Sequence, residues 1–339
     1  MAPPSPIVFT APGLGPDMSI EVFEQIFHVN SMVLKIHSEY FRNYLDSPDK
    51  APAGSVSGAF RYEWVTQVDE DGMGWSLTAK EKFTGTDNKF FGKLFEVAEI
   101  SSFTNLIRAV HTRPIDVKTP QALCRLTKLA DFYRVLPVVS NALNGVFYES
   151  LPFSSSISES CVELLDAAFK LRNKTLFKEC FIHVMGPWSK PRFHSLKAQE
   201  LKDLAIRAQL QLNTKIMEIQ LALAVMTTDP TTPQFGPNSP FGPQLSSEMA
   251  NIINAYRNVV IKDGKLIVPY YYRVLETIRI SPHVSLTKKL SGLLQPVLKS
   301  MLRLDRGGDR AGEGIYGDSF LCFDLTDEEL PWDDKQTSW

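Results

Sequence analysis

The chain of 339 residues predicts an α+β fold, and three stretches carry that reading. Phe27–Leu45 sets Val33, Leu34, Tyr40, Phe41, Tyr44 and Leu45 at spacings of three, four and seven, with Ser38 placed to cap a second helix. This helix–turn–helix follows a short strand, Ile20–Ile26, within a wider strand or tight strand pair at Met18–Ile26. Phe60–Ala79 alternates apolar and polar residues on both sides of the turn-forming DEDGMG, which predicts an inserted hairpin with an acidic tip. From Thr119 onward the pattern is helical almost without interruption.

Taken in order, residues 1–16 hold five prolines and read as a disordered or extended leader. Residues 46–59 form a Pro/Gly/Ser/Ala-rich connection into the hairpin, within an insertion spanning 46–92. A short strand is expected at Leu94–Ile100 and a helix at Phe103–Val110. Thr119-Pro120 starts the next helix, with Thr119 as N-cap and Pro120 in the first turn; Leu123, Leu126, Leu129, Ala130 and Tyr133 form its stripe. Further helices are expected at Val138–Tyr148, from Ser160-x-x-Glu163 to Leu171, and at Thr175–Val184, the last ending at Gly186-Pro187.

Leu196–Met226 is the longest helix predicted. Its stripe Leu201, Ala205, Ala208, Leu212, Ile216, Ile219, Leu223, Met226 fits either a coiled-coil seam or a helix laid across the preceding bundle. Residues 227–245 hold five prolines and read as a linker. Beyond it, Met249–Val260 reads as helix, Lys265–Tyr272 as strand, and Leu286–Leu302 as helix. The tail from Glu313 to Trp339 sets eight acidic residues against Lys335 and carries Trp332 and Trp339. Those tryptophans are either anchors of a short binding motif or part of an arm folded back on its own chain.

Composition narrows the function classes. The chain is 44% hydrophobic and 22% charged, and 36 basic residues against 38 acidic ones give a net charge of −2. That balance leaves no global footprint for direct nucleic-acid binding, and no apolar run is long enough for a membrane helix. Cys124, Cys161, Cys180 and Cys322 are scattered, so neither a zinc site nor a disulfide framework is expected. No secretory signal is read at the N-terminus, and the expected setting is intracellular, cytoplasmic or nuclear.

Each chemistry-bearing pattern in the sequence is incomplete. Asp69, Asp71 and Gly74 match three positions of a calcium loop, but Lys80 stands where the bidentate carboxylate belongs, so an exposed acidic turn is the better account. The six histidines show no metal-ligand spacing, and no nucleophile elbow is present. Gly307-Gly308 with Gly312 and Gly314 lacks the strand and the Gly-Lys-Ser/Thr of a phosphate loop. Lys170, Arg172, Lys174 and Lys178 form the densest basic group and read as solvated surface. No catalytic residue, metal or cofactor is therefore expected, and the chain reads as a non-enzyme.

Several blocks in order resemble BTB/POZ domain proteins of the fungal type. Asp17 resembles the family's opening aspartate. Val29-Asn30-x-x-x-Leu34-x-x-x-Ser38-x-x-Phe41 is similar to its first helical block, with Asn30 where a histidine is usual. Phe103–Arg113 resembles the helix that follows, and Leu126–Tyr133 the helix that closes the domain. The segments beginning at Tyr62-Glu63-Trp64, Ala168–Arg172, Val184–Trp188, Asp318–Cys322 and Glu329–Asp333 resemble features of the fungal branch.

The resemblance implies a BTB/POZ domain over 17–150, a small sheet flanked by helices, then a helical BACK-like extension over 151–226 and a mixed C-terminal region over 246–339. It implies a protein-interaction scaffold that homodimerises through its first strand and first helix, with Met18, Ile20, Val22, Met32, Val33 and Ile36 at or near the interface. A narrower form is a substrate adaptor of a cullin-type ubiquitin ligase, with Phe103, Leu106, Ile107 and Val110 on the scaffold-binding helix. The alternative is a transcriptional regulator acting through a DNA-binding partner.

Overall fold

A computed structural model describes residues 4–10, 12–47, 60–70, 74–83, 92–149, 151–228, 261–262, 265–277, 284–305, 307–333, 335–336 and 339. It is mixed α+β, with a small five-stranded mixed sheet among its described residues. Two compact units emerge: described residues within 1–156, 167–173 and 335–339 form one, and those within 157–166 and 174–334 the other. The stretches 151–226 and 246–339, expected as separate regions, therefore contribute most of their described residues to a single unit.

In the first unit the strands are β1 (Ile7–Val8), β2 (Met18–Val22), β3 (Gln25–Val29), β4 (Tyr62–Val68) and β5 (Trp75–Ala79), in the order β1-β3-β2-β4-β5. β1 runs parallel to β3, and Phe9 N extends the ladder to His28 O at 2.8 Å. The leader, expected to be disordered or extended, thus supplies an edge strand, and the Phe9 ring is buried. Prolines at 4 and 6 precede the strand and do not remove a ladder donor from it.

β2 and β3 form an antiparallel hairpin, the tight strand pair of the two readings of Met18–Ile26 and not the single strand Ile20–Ile26. The corner is Phe23, at φ 55, without a glycine or asparagine to announce it. Two contacts hold this positive φ: Phe23 N donates to Thr66 Oγ1 at 2.9 Å, and the Phe23 ring meets Trp75 at 5.5 Å. β4 pairs antiparallel with β5, the hairpin that the alternation of the insertion predicts, and β2 pairs parallel with β4. Tyr62, Trp64, Thr66 and Val68 are buried while Glu63, Val65 and Gln67 are half-buried. The hairpin tip Asp71–Met73 lies outside the described residues.

Helices α1 (Ser31–His37) and α2 (Glu39–Tyr44) meet at Ser38, the C-cap of one and the N-cap of the other. α3 (Lys93–Val110) runs straight through the stretch read as strand, Leu94–Ile100. Its buried side chains Glu99, Ser102, Phe103, Leu106, Ile107 and Val110 step by three and four, so a helix is what buries them together. α4 (Pro120–Phe132) starts at Thr119, whose hydroxyl accepts from Ala122 N at 3.2 Å. The helix expected at Val138–Tyr148 is two, α5 (Leu136–Ala142) and α6 (Val146–Glu149), broken by a turn that includes Gly145; α7 (Leu151–Ser156) follows.

α8 (Cys161–Leu171) precedes α9 (Lys174–Met185), and the second unit then holds α10 (Gln199–Thr228), the two-residue strands β6 (Ile261–Lys262) and β7 (Lys265–Leu266), α11 (Val268–Thr277) and α12 (Val284–Leu298). Lys265–Tyr272, read as strand, is mostly α11: Pro269 suits a first helical turn, and Val268, Tyr271, Tyr272 and Leu275 form a buried helical stripe. α12 ends four residues before the expected Leu302. The helix expected at Met249–Val260 lies outside the described residues, as does the 227–245 linker beyond Thr228.

Several separately noted segments meet in this unit. Gly186 and Phe320 join as Phe320 N donates to Gly186 O at 2.9 Å, and Trp188 N donates to Asp318 O at 2.8 Å. A Cβ on Gly186 would sit 2.9 Å from both Ile182 O and Phe320 O, so the close backbone approach selects glycine. Glu179, buried in α9, accepts from Arg303 N at 2.8 Å, Leu304 N at 3.1 Å and Asp305 N at 3.2 Å. Arg273 is buried and donates to Ala311 O at 2.9 Å and Leu298 O at 3.2 Å while pairing with Glu276. These bonds satisfy charges that would otherwise be costly to bury.

Candidate interaction surface

The outward side of α1 is set by how its N-terminus is fastened. Asn30 is buried, and its Oδ1 accepts from Met32 N at 3.0 Å and Val33 N at 3.4 Å, while its Nδ2 donates to Gly15 O at 2.7 Å. Asp17 accepts from both Ser31 N and Ser31 Oγ at 2.6 Å. The first three amides of the helix, which have no intrahelical partner, are thereby all taken by side chains. Asn30, where the resembled family usually has histidine, works here as a helix cap.

The other end of the pair is equally constrained. Ser38 Oγ accepts from Phe41 N at 3.2 Å and donates to Tyr133 O at 2.6 Å. That carbonyl lies at the C-cap of α4, where helical acceptors run out. Arg134 at φ 55 turns the chain, with Val135 N bonded to Ala130 O at 2.8 Å. The Phe41 ring stacks on Tyr133 at 5.4 Å with 5° between the planes. Arg42 also donates to Lys35 O at 3.0 Å and Ile36 O at 3.1 Å, closing the last turn of α1.

Fastened this way, α1 turns Leu34 into the core and leaves Met32 55% and Ile36 61% exposed, one helical turn apart. Val33 is half-buried. Met18, Ile20 and Val22, expected at or near an interface, are completely buried in β2. The reason is the period of two: their common face is the one packed into the core, and β2 lies between β3 and β4 with both ladders occupied. The signature residues Leu34, Ser38 and Phe41 are likewise interior, and Asp17 is half-buried.

Phe103, Leu106, Ile107 and Val110 are also core and not a docking face. Phe103 meets Phe27 at 5.3 Å and Tyr133 at 5.9 Å. The exposed apolar residues of α3 are instead Leu94, Phe95 and Val97, which the strand reading concealed.

The tail tryptophans both contact their own chain. Within the second unit Trp332 sets its edge against Phe177 at 4.9 Å, and Asp327 receives Lys174 and Lys178, each at 2.9 Å. These lysines hold the Asp327 carboxyl down at about 2. Within the first unit Trp339 Nε1 donates to Lys170 O at 2.9 Å, and Arg172 lies over its ring at 4.8 Å. Lys170 pairs with Asp131 at 2.7 Å. The densest basic group of the sequence is thus engaged by acidic and aromatic partners.

Among the described residues no group of three or more His, Cys, Asp and Glu is placed to hold a metal ion, and no helix is long and apolar enough to cross a membrane. A cavity of about 170 Å³ in the second unit is lined by residues including Phe181, Leu204, Lys215 and Cys322. Burial pushes the Cys322 thiol up to about 11, which keeps it a neutral, poor nucleophile at physiological pH. His111 offers Nδ1 to Ile107 O at 3.0 Å and is half-buried, and that burial lowers its pKa.

No protein-family model matches the chain, and no curated protein matches it.

Proposed function

We propose that this chain is a non-enzymatic protein-interaction scaffold of the BTB/POZ kind, self-associating as a homodimer through the outward side of α1. The carrying observation is the exposure of Met32 and Ile36 on a helix whose N-terminal amides and whose Leu34, Lys35 and Ile36 carbonyls are engaged within the chain. Fully burying such side chains is worth about 1.5–3 kcal/mol each, so a two-fold contact that uses the pair twice gains several kcal/mol. That is a nucleus for an interface of standard size, not a whole one, and the neighbouring half-buried Val33 belongs to the same contact.

The order of the blocks from Asp17 through Tyr133 supports this reading, as does their convergence on one small sheet and one helical cluster. Light scattering of the full chain across a dilution series tests it: a dimer at micromolar concentration is expected, and the double variant M32E/I36E should show a marked loss of mass. A monomer for the unaltered chain at these concentrations would refute the proposal.

The adaptor form of the reading, with a cullin-type partner, must use different residues from those first expected. Leu94, Phe95 and Val97 supply exposed apolar surface on α3, and they favour a second partner on the same unit. Capture of a cullin by the unaltered chain should be lost in L94E/V97E. Capture that survives the double variant removes α3 from the account.

A further inference from the structure

Helix α10 carries two apolar stripes, and among the described residues only one of them is covered. Leu201, Ala205, Leu212 and Ile219 are buried, which accounts for the seam seen in the sequence. On the opposite side Ile206 is 49% exposed, Leu210 61%, Met217 66% and Leu221 64%. At about 100° per residue these four fall within an arc of about 60° and extend over about 22 Å of helix.

This second stripe is symmetric about the midpoint between Asn213 and Thr214. Reversing the helix about that point exchanges Ile206 with Leu221 and Leu210 with Met217. A copy laid antiparallel on a two-fold axis would therefore match apolar against apolar along the whole stripe, with the polar pair Asn213 and Thr214 at the axis.

The charges follow the same symmetry. Arg207 and Glu218 lie on one flank of the stripe, and in an antiparallel pair that flank faces its own copy. Arg207 of each helix would then stand beside Glu218 of the other. Both side chains are exposed, and among the described residues neither takes part in an ion pair. On one helix they are eleven positions apart, about 16 Å, too far to meet each other. A foreign partner has no need of a stripe and flanking charges that repeat under a two-fold rotation.

We propose that the exposed side of α10 is a self-association surface at which two copies pair antiparallel, centred on Asn213 and Thr214. The surface is independent of α1 and would give the chain a second isologous contact. Four partly exposed side chains per copy make a small interface, so the pairing should be of about micromolar strength or weaker.

The test uses the full chain, with circular dichroism confirming the fold of each variant. In sedimentation velocity on the M32E/I36E background, L210E should abolish the residual self-association. R207E and E218R should each weaken it about fivefold or more, and R207E/E218R together should restore it. Restoration in the double variant is specific to the antiparallel pair, because the two side chains cannot meet within one helix. Under oxidation T214C should give a disulfide dimer mapped to position 214 on both copies, whereas Q211C should not.

Self-association unchanged by L210E, failure of the double charge reversal to restore it, or no dimer from T214C above the Q211C level would each overturn the proposal. Covering of the stripe by another part of the same chain would produce that last result. Loss of pairing by L210E with M32E/I36E ineffective would sustain this inference while removing the α1 reading, and the reverse pattern would do the opposite.

Discussion

Ser38 Oγ donates to the carbonyl of Tyr133 at 2.6 Å across 95 residues of sequence, tying the first helical pair to the end of α4. The same hydroxyl caps α2, so one buried side chain satisfies an orphan amide and an orphan carbonyl together. Replacing Ser38 with alanine leaves both unpaired. S38A is expected to cost about 1–3 kcal/mol in chemical denaturation. Tyr133 itself behaves differently, because its hydroxyl is buried without a hydrogen-bond partner among the described residues. Y133F should therefore be neutral or stabilising, and a loss above about 1 kcal/mol would show that the hydroxyl is satisfied.

Asn30 gives the second prediction. N30A removes the acceptor for Met32 N and Val33 N and should cost about 1 kcal/mol, with faster hydrogen exchange at those amides. N30D keeps that acceptor but loses the donor to Gly15 O, and it should retain more of the protection than N30A. Equal loss in both variants would mean the Gly15 bond, and not the cap, fixes the helix.

His183 predicts a pH dependence. It is buried in α9 beside Tyr316, and burial lowers its pKa from 6.5 to about 4, against the opposing pull of Asp305. The unfolded chain binds this proton first, so the stability is full above pH 6.5 and falls as the pH drops towards 4. The loss from this group is roughly 3 kcal/mol over that window, at 1.36 kcal/mol per pH unit. His111, also lowered by burial, acts in the same sense. Thermal denaturation from pH 7.5 to pH 4 should show the decline, and it should flatten in H183Q; an unaltered slope in H183Q would exclude His183 as its source.

Gly312 sits at φ 78 against α11, and an added Cβ would overlap Pro269 O and Arg273 Cβ. Both the positive φ and the missing space select glycine. G312A should destabilise the chain by more than about 1 kcal/mol, and it should do so by displacing the buried Arg273, which bonds Ala311 O next door. A neutral G312A in denaturant titration would contradict this packing.

Much of the scaffold was legible because it rests on local signals. The Ser38 cap, the Thr119 cap and the alternation of Tyr62, Trp64 and Val68 each state their structure in a few residues. What escaped was decided by distant partners. Phe23 turns a hairpin at positive φ because Thr66 and Trp75 hold it, and neither is near in sequence. Leu94–Ile100 has apolar residues compatible with either period, and only the continuation through Glu99, Ser102 and Phe103 makes it helix. The site was partly legible for the same reason. Helical geometry distinguishes Met32 and Ile36 from Leu34, but strand periodicity cannot say that the side of Met18, Ile20 and Val22 is covered by the chain itself.

The central claim is that the outward side of α1 joins two copies. Light scattering of the full chain from about 100 μM to about 1 μM, beside M32E/I36E and M32E/I36E/L210E, tests it most directly. The account predicts a dimer or larger assembly for the unaltered chain, a marked loss of mass for M32E/I36E, and a monomer for the triple variant. An unaltered chain that stays monomeric throughout, or an M32E/I36E variant that associates as strongly as its parent, would contradict it.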